Sequence, residues 1–149
     1  MKAKIKKVNE LLKKGEPENI SVDSYSGYSG YKPQHIIDTM NVVFEIGEWG
    51  FTEYSNEFLN RGDDGKPQLA VASIGVWLKD IEFIPMAYGQ SRITRGDFGD
   101  AKKGAQTDAI KKALSYFSIG NRAYHGKLEV KKTPDYKEKP GAKYKEEIH

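Results

Sequence analysis

A repeat of alanines in the second half of the chain is the sequence feature that most restricts the fold. Alanine occupies positions 101, 105, 109 and 113, and Phe117 continues the same spacing. Residues four apart fall on one face of an α-helix, so this face is apolar. Because alanine is small, such a helix approaches closely whatever it covers. The pattern therefore predicts a core helix over 101–117, capped at its start by Asp97 or Asp100.

Basic residues are concentrated in and just before this helix. Lys111 and Lys112 fall outside the apolar face, so the helical pattern predicts both ammonium groups on the solvent side. Between Tyr88 and Lys112 there are six basic residues and three acidic ones, a net charge of +3. The six are Arg92, Arg95, Lys102, Lys103, Lys111 and Lys112. Adjacent lysines on a helix are often only a solvated surface, and charge alone leaves that alternative open.

Three segments before the helix are predicted to be strands. Residues 69–78 are apolar or small on both faces, which is typical of a central strand. Residues 51–59 and 81–94 flank it, and Pro85 predicts a bulge or an edge position in the last segment. Three antiparallel strands followed by the long helix give a β-β-β-α unit.

The N-terminal part adds two helices to this unit. Apolar residues at helical spacing over 5–12 and 34–46 predict them, with a strand and turn between them over 20–31. The predicted fold class is therefore α+β, with an antiparallel β-β-β-α core, an N-terminal helix and a second helix before the sheet. We expect one functional domain over 1–130 and a polar, mobile tail over 131–149.

Composition excludes several kinds of protein. The 149 residues include no cysteine, which excludes disulfides and thiolate metal sites, and the three histidines are too scattered to predict a metal site. No apolar run approaches ~20 residues and no secretory signal follows the lysine-rich start, so we expect a cytoplasmic protein without a membrane partner. Lys66 follows a glycine but lacks the rest of a phosphate-binding loop. We predict no catalytic residue, cofactor or metal, and no enzymatic activity.

The charge is unevenly distributed along the chain. Residues 1–14 hold six lysines and one glutamate, a charge of +5, whereas residues 36–65 hold seven acids and one arginine, a charge of −6. Such polarity fits a side that faces a polyanion, or contacts between copies of the chain through opposite charge. Chance clustering on a solvated surface is the alternative.

Three tyrosines separated by Ser-Gly pairs form a distinct segment. Tyr25, Tyr28 and Tyr31 are spaced so that their rings could act as stacking platforms for nucleic-acid bases. Packing at the surface of a sheet is the alternative for the same residues.

Four segments resemble, in order, the N-terminal annealing domain of the Rad52 family of single-strand annealing proteins. Residues 36–44 followed by Trp49 resemble a family helix and its tryptophan, and residues 76–80 resemble the central hairpin. Residues 88–91 (YGQS) are similar to a Tyr-Gly-x-Ser strand end. The most specific segment is 103–117 (KGAQTDAIKKALSYF), which resembles the family helix Lys-x-Ala-x-Thr-Asp-x-(Leu/Ile)-Lys-(Arg/Lys)-Ala-Leu-x-x-Phe.

This resemblance, which covers roughly residues 20–124, implies a β-β-β-α fold assembled as an oligomeric ring or filament. It implies ATP-independent binding and annealing of single-stranded DNA in recombination and repair. It assigns DNA contacts to four basic residues, Lys111, Lys112, Lys66 and Arg95, and it places Tyr28 or Tyr31 near the DNA. Ser115 stands where the family has an arginine, so three further basic residues are candidate contacts: Arg92, Lys102 and Lys103.

The resemblance also implies partners and an origin. We expect single-stranded DNA and further copies of the chain as partners, and a single-strand-binding protein or a 5′–3′ exonuclease as helper candidates. The short length favours a phage or bacterial form that associates with DNA in a prokaryotic or phage-infected cell. The alternative functions are a nucleic-acid binder that does not anneal, such as a duplex binder or DNA-end protector, and an interaction scaffold without a nucleic-acid role.

Overall fold

The structure is a computed structural model, and it describes residues 1–14, 20–22, 29–60, 62 and 64–120. Its elements in chain order are α1 (Lys2–Lys13), β1 (Ile20–Val22), β2 (Ser29–Tyr31), α2 (Pro33–Val43), β3 (Trp49–Asn60), β4 (Pro67–Leu78), β5 (Met86–Arg92) and α3 (Phe98–Ser115). The predicted α+β class and the order of the β-β-β-α unit are confirmed. The predicted tail over 131–149 lies outside the described residues.

The main sheet has the order β3-β4-β5, and both pairs of strands are antiparallel. Val71 of the central strand pairs with Glu57 on one side and with Gln90 on the other. A bulge between Glu53 and Ser55 leaves Tyr54 without a cross-strand partner in the register. The short strands β1 and β2 pair with each other as a separate two-stranded sheet, which matches the strand and turn predicted for this segment.

Several boundaries differ from those predicted. Strand β5 begins at Met86 rather than at position 81. The preceding Pro85 has no N–H to donate to a neighbouring strand, and only its carbonyl joins the sheet, where it accepts the Val76 N–H at 3.1 Å. Helix α2 ends at Val43, since Phe44 has extended backbone dihedrals.

Helix α3 begins at Phe98, where the Asp97 carboxylate accepts the Asp100 N–H at 3.0 Å as the predicted N-cap. It ends at Ser115, so Phe117 belongs to the following turn, and its ring packs against Phe83.

The core lies between one face of the sheet and α3. Alternate residues of β4 are buried on this face: Ala70, Ala72, Ile74, Val76 and Leu78. The four alanines of the α3 repeat are also fully buried, which confirms the predicted apolar helix face. Val8 and Leu12 of α1 and Ile36 and Met40 of α2 belong to the same cluster. Helices α1, α2 and α3 therefore contribute to one hydrophobic core.

The contact between α3 and β5 is made backbone to backbone. A methyl group at Gly89 would overlap the carbonyl oxygen of Ala105 and the amide nitrogen of Ala109. The absence of a side chain on this strand residue and the small alanine side chains on the helix allow this close approach. The alanine repeat therefore reflects a steric requirement of the sheet below it.

The opposite face of the sheet is open to solvent at three large side chains, since Tyr54, Met86 and Tyr88 are each more than half exposed. Two aromatic rings on this face cover glycines of the neighbouring strand. The Trp77 ring lies over Gly50, and the Tyr54 ring lies over Gly75. The rings thereby shield backbone that carries no side chain of its own.

We predict that Gly89→Ala destabilises the fold by about 3 kcal/mol or more, because the added methyl meets backbone atoms that cannot move without separating α3 from the sheet. Urea denaturation measures the loss. Gly99→Ala is the matched control, since a methyl there meets only the Asp97 carboxylate at 3.9 Å and alanine favours a helix. Equal stability of the Gly89→Ala protein and the wild type would contradict the backbone contact.

Candidate nucleic-acid interface

One stripe of α3 follows the outer edge of strand β5. Gly104 lies against the Ser91 side chain, since a methyl at position 104 would come within 2.5 Å of the Ser91 Oγ. One turn further along the helix, the Asp108 Oδ2 accepts the Gln90 N–H at 3.0 Å. Gln90 belongs to an edge strand, so its N–H points away from the sheet and needs a partner from elsewhere. Asp108 therefore fastens the helix to the strand edge.

Lys112 completes this stripe and is bound to the same carboxylate. Its Nζ lies 2.9 Å from the Asp108 Oδ2, and the two side chains are 40% and 27% exposed. An acid four residues before a lysine is the favourable order for an ion pair on a helix. The ammonium of Lys112 is therefore held at the edge of β5 and remains accessible to solvent.

Lys111 lies in a different environment from its neighbour. Its side chain is half-buried beside β2, where a methyl group at Gly30 would come within 2.9 Å of the Lys111 Nζ. Burial lowers the pKa of Lys111 below its ordinary value of 10.5, Asp108 acts in the opposite direction, and the charge of Lys112 lowers it further. The prediction that Lys111 points freely into solvent is wrong, because the strand β2 from a distant part of the chain packs beside it.

The other two helix lysines are more exposed and lie in the N-terminal half of α3. Lys102 is directed toward β3, where its Nζ lies 4.9 Å from the centre of the Phe58 ring. The structure therefore separates Lys102, which lies at β3, from Lys112, which lies at the edge of β5. Lys103 is exposed and lies eight residues before Lys111, about two helical turns away.

A second basic group lies at the end of the sheet where β5 terminates. Arg92 and Arg95 line an open cleft of about 540 Å³ together with Asp97 and Asp100, so their charges are partly balanced by acids. Lys66 is exposed in the turn between β3 and β4. It lies at the same end of the sheet, because the start of β4 pairs with the end of β5. Lys66, Arg92 and Arg95 therefore form a basic group that is separate from Lys111 and Lys112.

Tyr31 does not provide the predicted stacking platform. Its side chain is only 2% exposed, and its ring packs edge to face against His35 with 6.0 Å between centroids. The alternative of a packing residue is therefore correct for Tyr31. Tyr25 and Tyr28 lie outside the described residues.

Part of the uneven charge distribution along the sequence is neutralised by an ion pair within the chain. Lys4 of the basic segment forms an ion pair with Glu48 of the acidic segment, with 2.5 Å between Nζ and Oε1. The hydrogen bond from Lys4 lowers the pKa of Glu48, and the N–H of Glu45, which the same carboxylate accepts at 2.7 Å, lowers it further. The Lys4–Glu48 ion pair therefore joins α1 to the turn before β3 within one copy of the chain, rather than joining two copies.

Two residues of the interface were missed by reasoning from the sequence. The spacing of Asp108 and Lys112 indicates an ion pair, but nothing in the sequence shows that the same carboxylate accepts the Gln90 N–H. The contact of Gly30 with Lys111 joins residues 81 positions apart and has no local signal. Within the described ranges there is no group of three or more histidine and acidic side chains that could hold a metal ion.

We predict that Lys111→Met is more stable than the wild type at neutral pH, because methionine keeps the packing beside Gly30 without a buried charge. The folded-state pKa of Lys111 is depressed, so the unfolded chain binds more protons as the pH approaches 10.5, and wild-type stability then rises with pH. The gain from Lys111→Met should therefore shrink as the pH is raised from neutral toward 10.5. Urea denaturation across this range measures it.

Lys79→Met removes the charge of an exposed lysine and is the control for that experiment. A Lys111→Met protein that is less stable than the wild type at every pH would contradict a burial penalty at this position.

Comparison with known proteins places the chain in a family. A family model described as the Rad52/22 family double-strand break repair protein matches residues 4–142. No curated protein sequence matches the chain. No helix within the described part of the chain is long and apolar enough to cross a membrane. The family match spans nearly the whole chain, from α1 through the basic residues of α3, and the protein therefore belongs to the Rad52/22 family of double-strand break repair proteins.

Proposed function

We propose that this protein binds single-stranded DNA and anneals complementary strands without ATP, as a homo-oligomer acting in recombination and repair of DNA breaks. The observation that carries the proposal is that two consecutive residues of α3, Lys111 and Lys112, each have an ammonium group placed by a contact with a different strand or side chain. Lys112 is held at the β5 edge by Asp108, and the Lys111 ammonium lies beside Gly30 of β2. Membership of a double-strand break repair family supports DNA as the polyanion that this pair binds.

Lysines suit a site that must hold a strand and still leave its bases free. An ammonium binds phosphate oxygens and reads no base edge, so it positions a strand without selecting a sequence. The bases of a strand bound in this way keep their pairing edges available. Two complementary strands presented by such sites can therefore pair while they are bound.

The proposed reaction needs no catalytic group. Duplex formation gains on average about 1.4 kcal/mol for each stacking step, so annealing is favourable once the strands are brought together. The task of the protein is to concentrate strands and to keep them extended. We therefore propose a binding protein rather than an enzyme.

One protomer would bind a strand only weakly. Two lysine–phosphate contacts give a salt dependence of about −1.4 in the slope of log K against log salt, at about −0.7 for each contact with a single strand. Repetition of the site around an oligomer raises the overall affinity by a factor of order 10² or more. The proposed ring or filament is therefore a physical requirement of the proposed activity.

The second basic group extends the proposed path of the DNA. Lys111 lies ten residues beyond Ala101, which lines the cleft of Arg92 and Arg95, and this separation is about 15 Å along α3. A strand that follows the helix from the lysine pair would reach Lys103 and then this cleft. We propose that these residues and Lys66 are the outer contacts of the same DNA molecule or of its complement.

We predict that replacing Lys111 and Lys112 together by methionine slows annealing at least about tenfold, because each protomer loses both central phosphate contacts. Two complementary labelled oligonucleotides, mixed with the protein without nucleotide or metal, measure the rate. Lys79→Met is the control for loss of one exposed charge, and sedimentation checks that the oligomer is retained. Equal annealing rates in the double variant and the wild type would remove the pair from the site.

The same samples distinguish annealing from other nucleic-acid binding. Competition between single strands and duplex at fixed salt should favour the single strand. Preference for duplex, or protection of DNA ends without any acceleration of annealing, would support the alternative of a binder that does not anneal.

We predict that Gly30→Ala weakens binding of single-stranded DNA while the fold stays intact. The added methyl would lie 2.9 Å from the Lys111 Nζ, which is the flexible end of a side chain and can move away at little cost. The ammonium is displaced but not removed, so the variant tests its position rather than its charge. A fluorescence anisotropy titration with oligo(dT) measures binding, and thermal unfolding provides the control. Unchanged affinity would show that the position of Lys111 is unimportant.

A further inference from the structure

Asp108 is the one acid in the basic part of α3. It is the only acidic residue between positions 101 and 128, and its side chain lies in the middle of the proposed DNA-binding surface. A single carboxylate oxygen accepts the Gln90 N–H at 3.0 Å and contacts the Lys112 Nζ at 2.9 Å. An acid in this position is unexpected in a surface that binds a polyanion, so its presence needs a physical reason.

The contacts of Asp108 are those that a DNA phosphate oxygen would make. Phosphate and carboxylate oxygens both accept charge-assisted hydrogen bonds from ammonium groups and hydrogen bonds from backbone N–H groups. Lys112 is still 40% exposed, so a phosphate can reach its ammonium from the solvent side. That phosphate would then lie within a few ångströms of the Asp108 carboxylate and would be repelled by it.

We infer that Asp108 is a built-in competitor of DNA phosphate at Lys112, which holds the ammonium in place before DNA arrives and limits the affinity of each protomer for a strand. This inference rests on the proposed function, since it names the residue that sets the strength of the same site. A site limited in this way releases a strand more readily. Release matters for annealing because the paired product must leave the surface on which it formed.

The two contacts of Asp108 can be separated by substitution. In Asp108→Asn the amide oxygen still accepts the Gln90 N–H, so the fastening of α3 to β5 is kept, while the charge that competes with phosphate is removed. If Asp108 competes with phosphate, this variant binds DNA more tightly. If Asp108 only orients Lys112, the loss of the ion pair makes binding weaker.

The experiment is a titration of labelled oligo(dT) with the full-length protein at about 50 mM and about 200 mM salt. We expect Asp108→Asn to bind about threefold more tightly at low salt, the size of effect that one partly exposed charge exerts on a neighbour. The slope of log K against log salt should become more negative by up to about 0.7, the value for one further phosphate contact.

Asp80→Asn is the matched control, because it makes the same change in net charge at the far end of β4. Asp80 is exposed and has φ of 65°, a backbone conformation that asparagine also adopts readily. The Asp80→Asn protein should bind oligo(dT) as the wild type does. Tighter binding by both variants to the same extent would overturn the inference, because it would reflect net charge alone.

Two further variants show which lysine is involved. The gain from Asp108→Asn should persist when Lys111 is replaced by methionine, and it should be lost when Lys112 is replaced by methionine. A gain that persists without Lys112 would overturn the inference. Asp108→Ser retains a hydroxyl oxygen as acceptor without charge and serves as the second neutral variant if Asp108→Asn does not fold.

The outcomes separate this inference from the proposed function. Wild-type protein that binds oligo(dT) while Asp108→Asn binds equally or more weakly overturns the competitor role and leaves the proposed function standing. Wild-type protein that fails to bind oligo(dT) at low salt overturns both.

Discussion

The close approach of α3 to β5 is the constraint on which the rest of the structure depends. The backbones of the two elements touch at Gly89, and no larger residue fits there. This contact fixes both the height and the rotation of the helix above the sheet. The rotation in turn brings Asp108 to the exposed N–H of Gln90 and leaves Lys112 at the strand edge. The close packing of Gly89 against the alanines of α3 thus determines the positions of the charged groups of the interface.

The electrostatics of the interface are balanced rather than maximised. Lys112 is paired with an acid, Lys111 is partly withdrawn from water, and Arg92 and Arg95 share their cleft with two aspartates. Each arrangement reduces the attraction of one protomer for a polyanion. Weak contacts repeated in an oligomer allow a strand to be held overall while each segment of it exchanges readily. Such behaviour is what the proposed annealing activity requires, because strands must be bound, compared and then released as duplex.

The basic residues of the sequence divide into groups with different surroundings. Lys111 and Lys112 are adjacent in the chain, yet one packs beside β2 and the other is bound at β5. Lys102 is directed to an aromatic ring of β3, and Lys4 joins two parts of the N-terminal region through Glu48. A count of positive charges would treat all of these as equivalent. Their partners show that some serve the fold and that others remain available to a ligand.

The sequence by itself determined the helix α3, its apolar face, the central strand β4 and the order of the β-β-β-α unit, because periodicity is a property of neighbouring residues. It limited the N-cap of α3 to Asp97 or Asp100, and the structure selects Asp97. Only the tertiary structure decided the surroundings of Lys111, the burial of Tyr31 and the second contact of Asp108. Each of these depends on an element distant in sequence, and the helical pattern around Lys111 carries no information about what packs beside it. The local pattern identified residues that could bind DNA. Tertiary packing decided which of them remain accessible to a ligand.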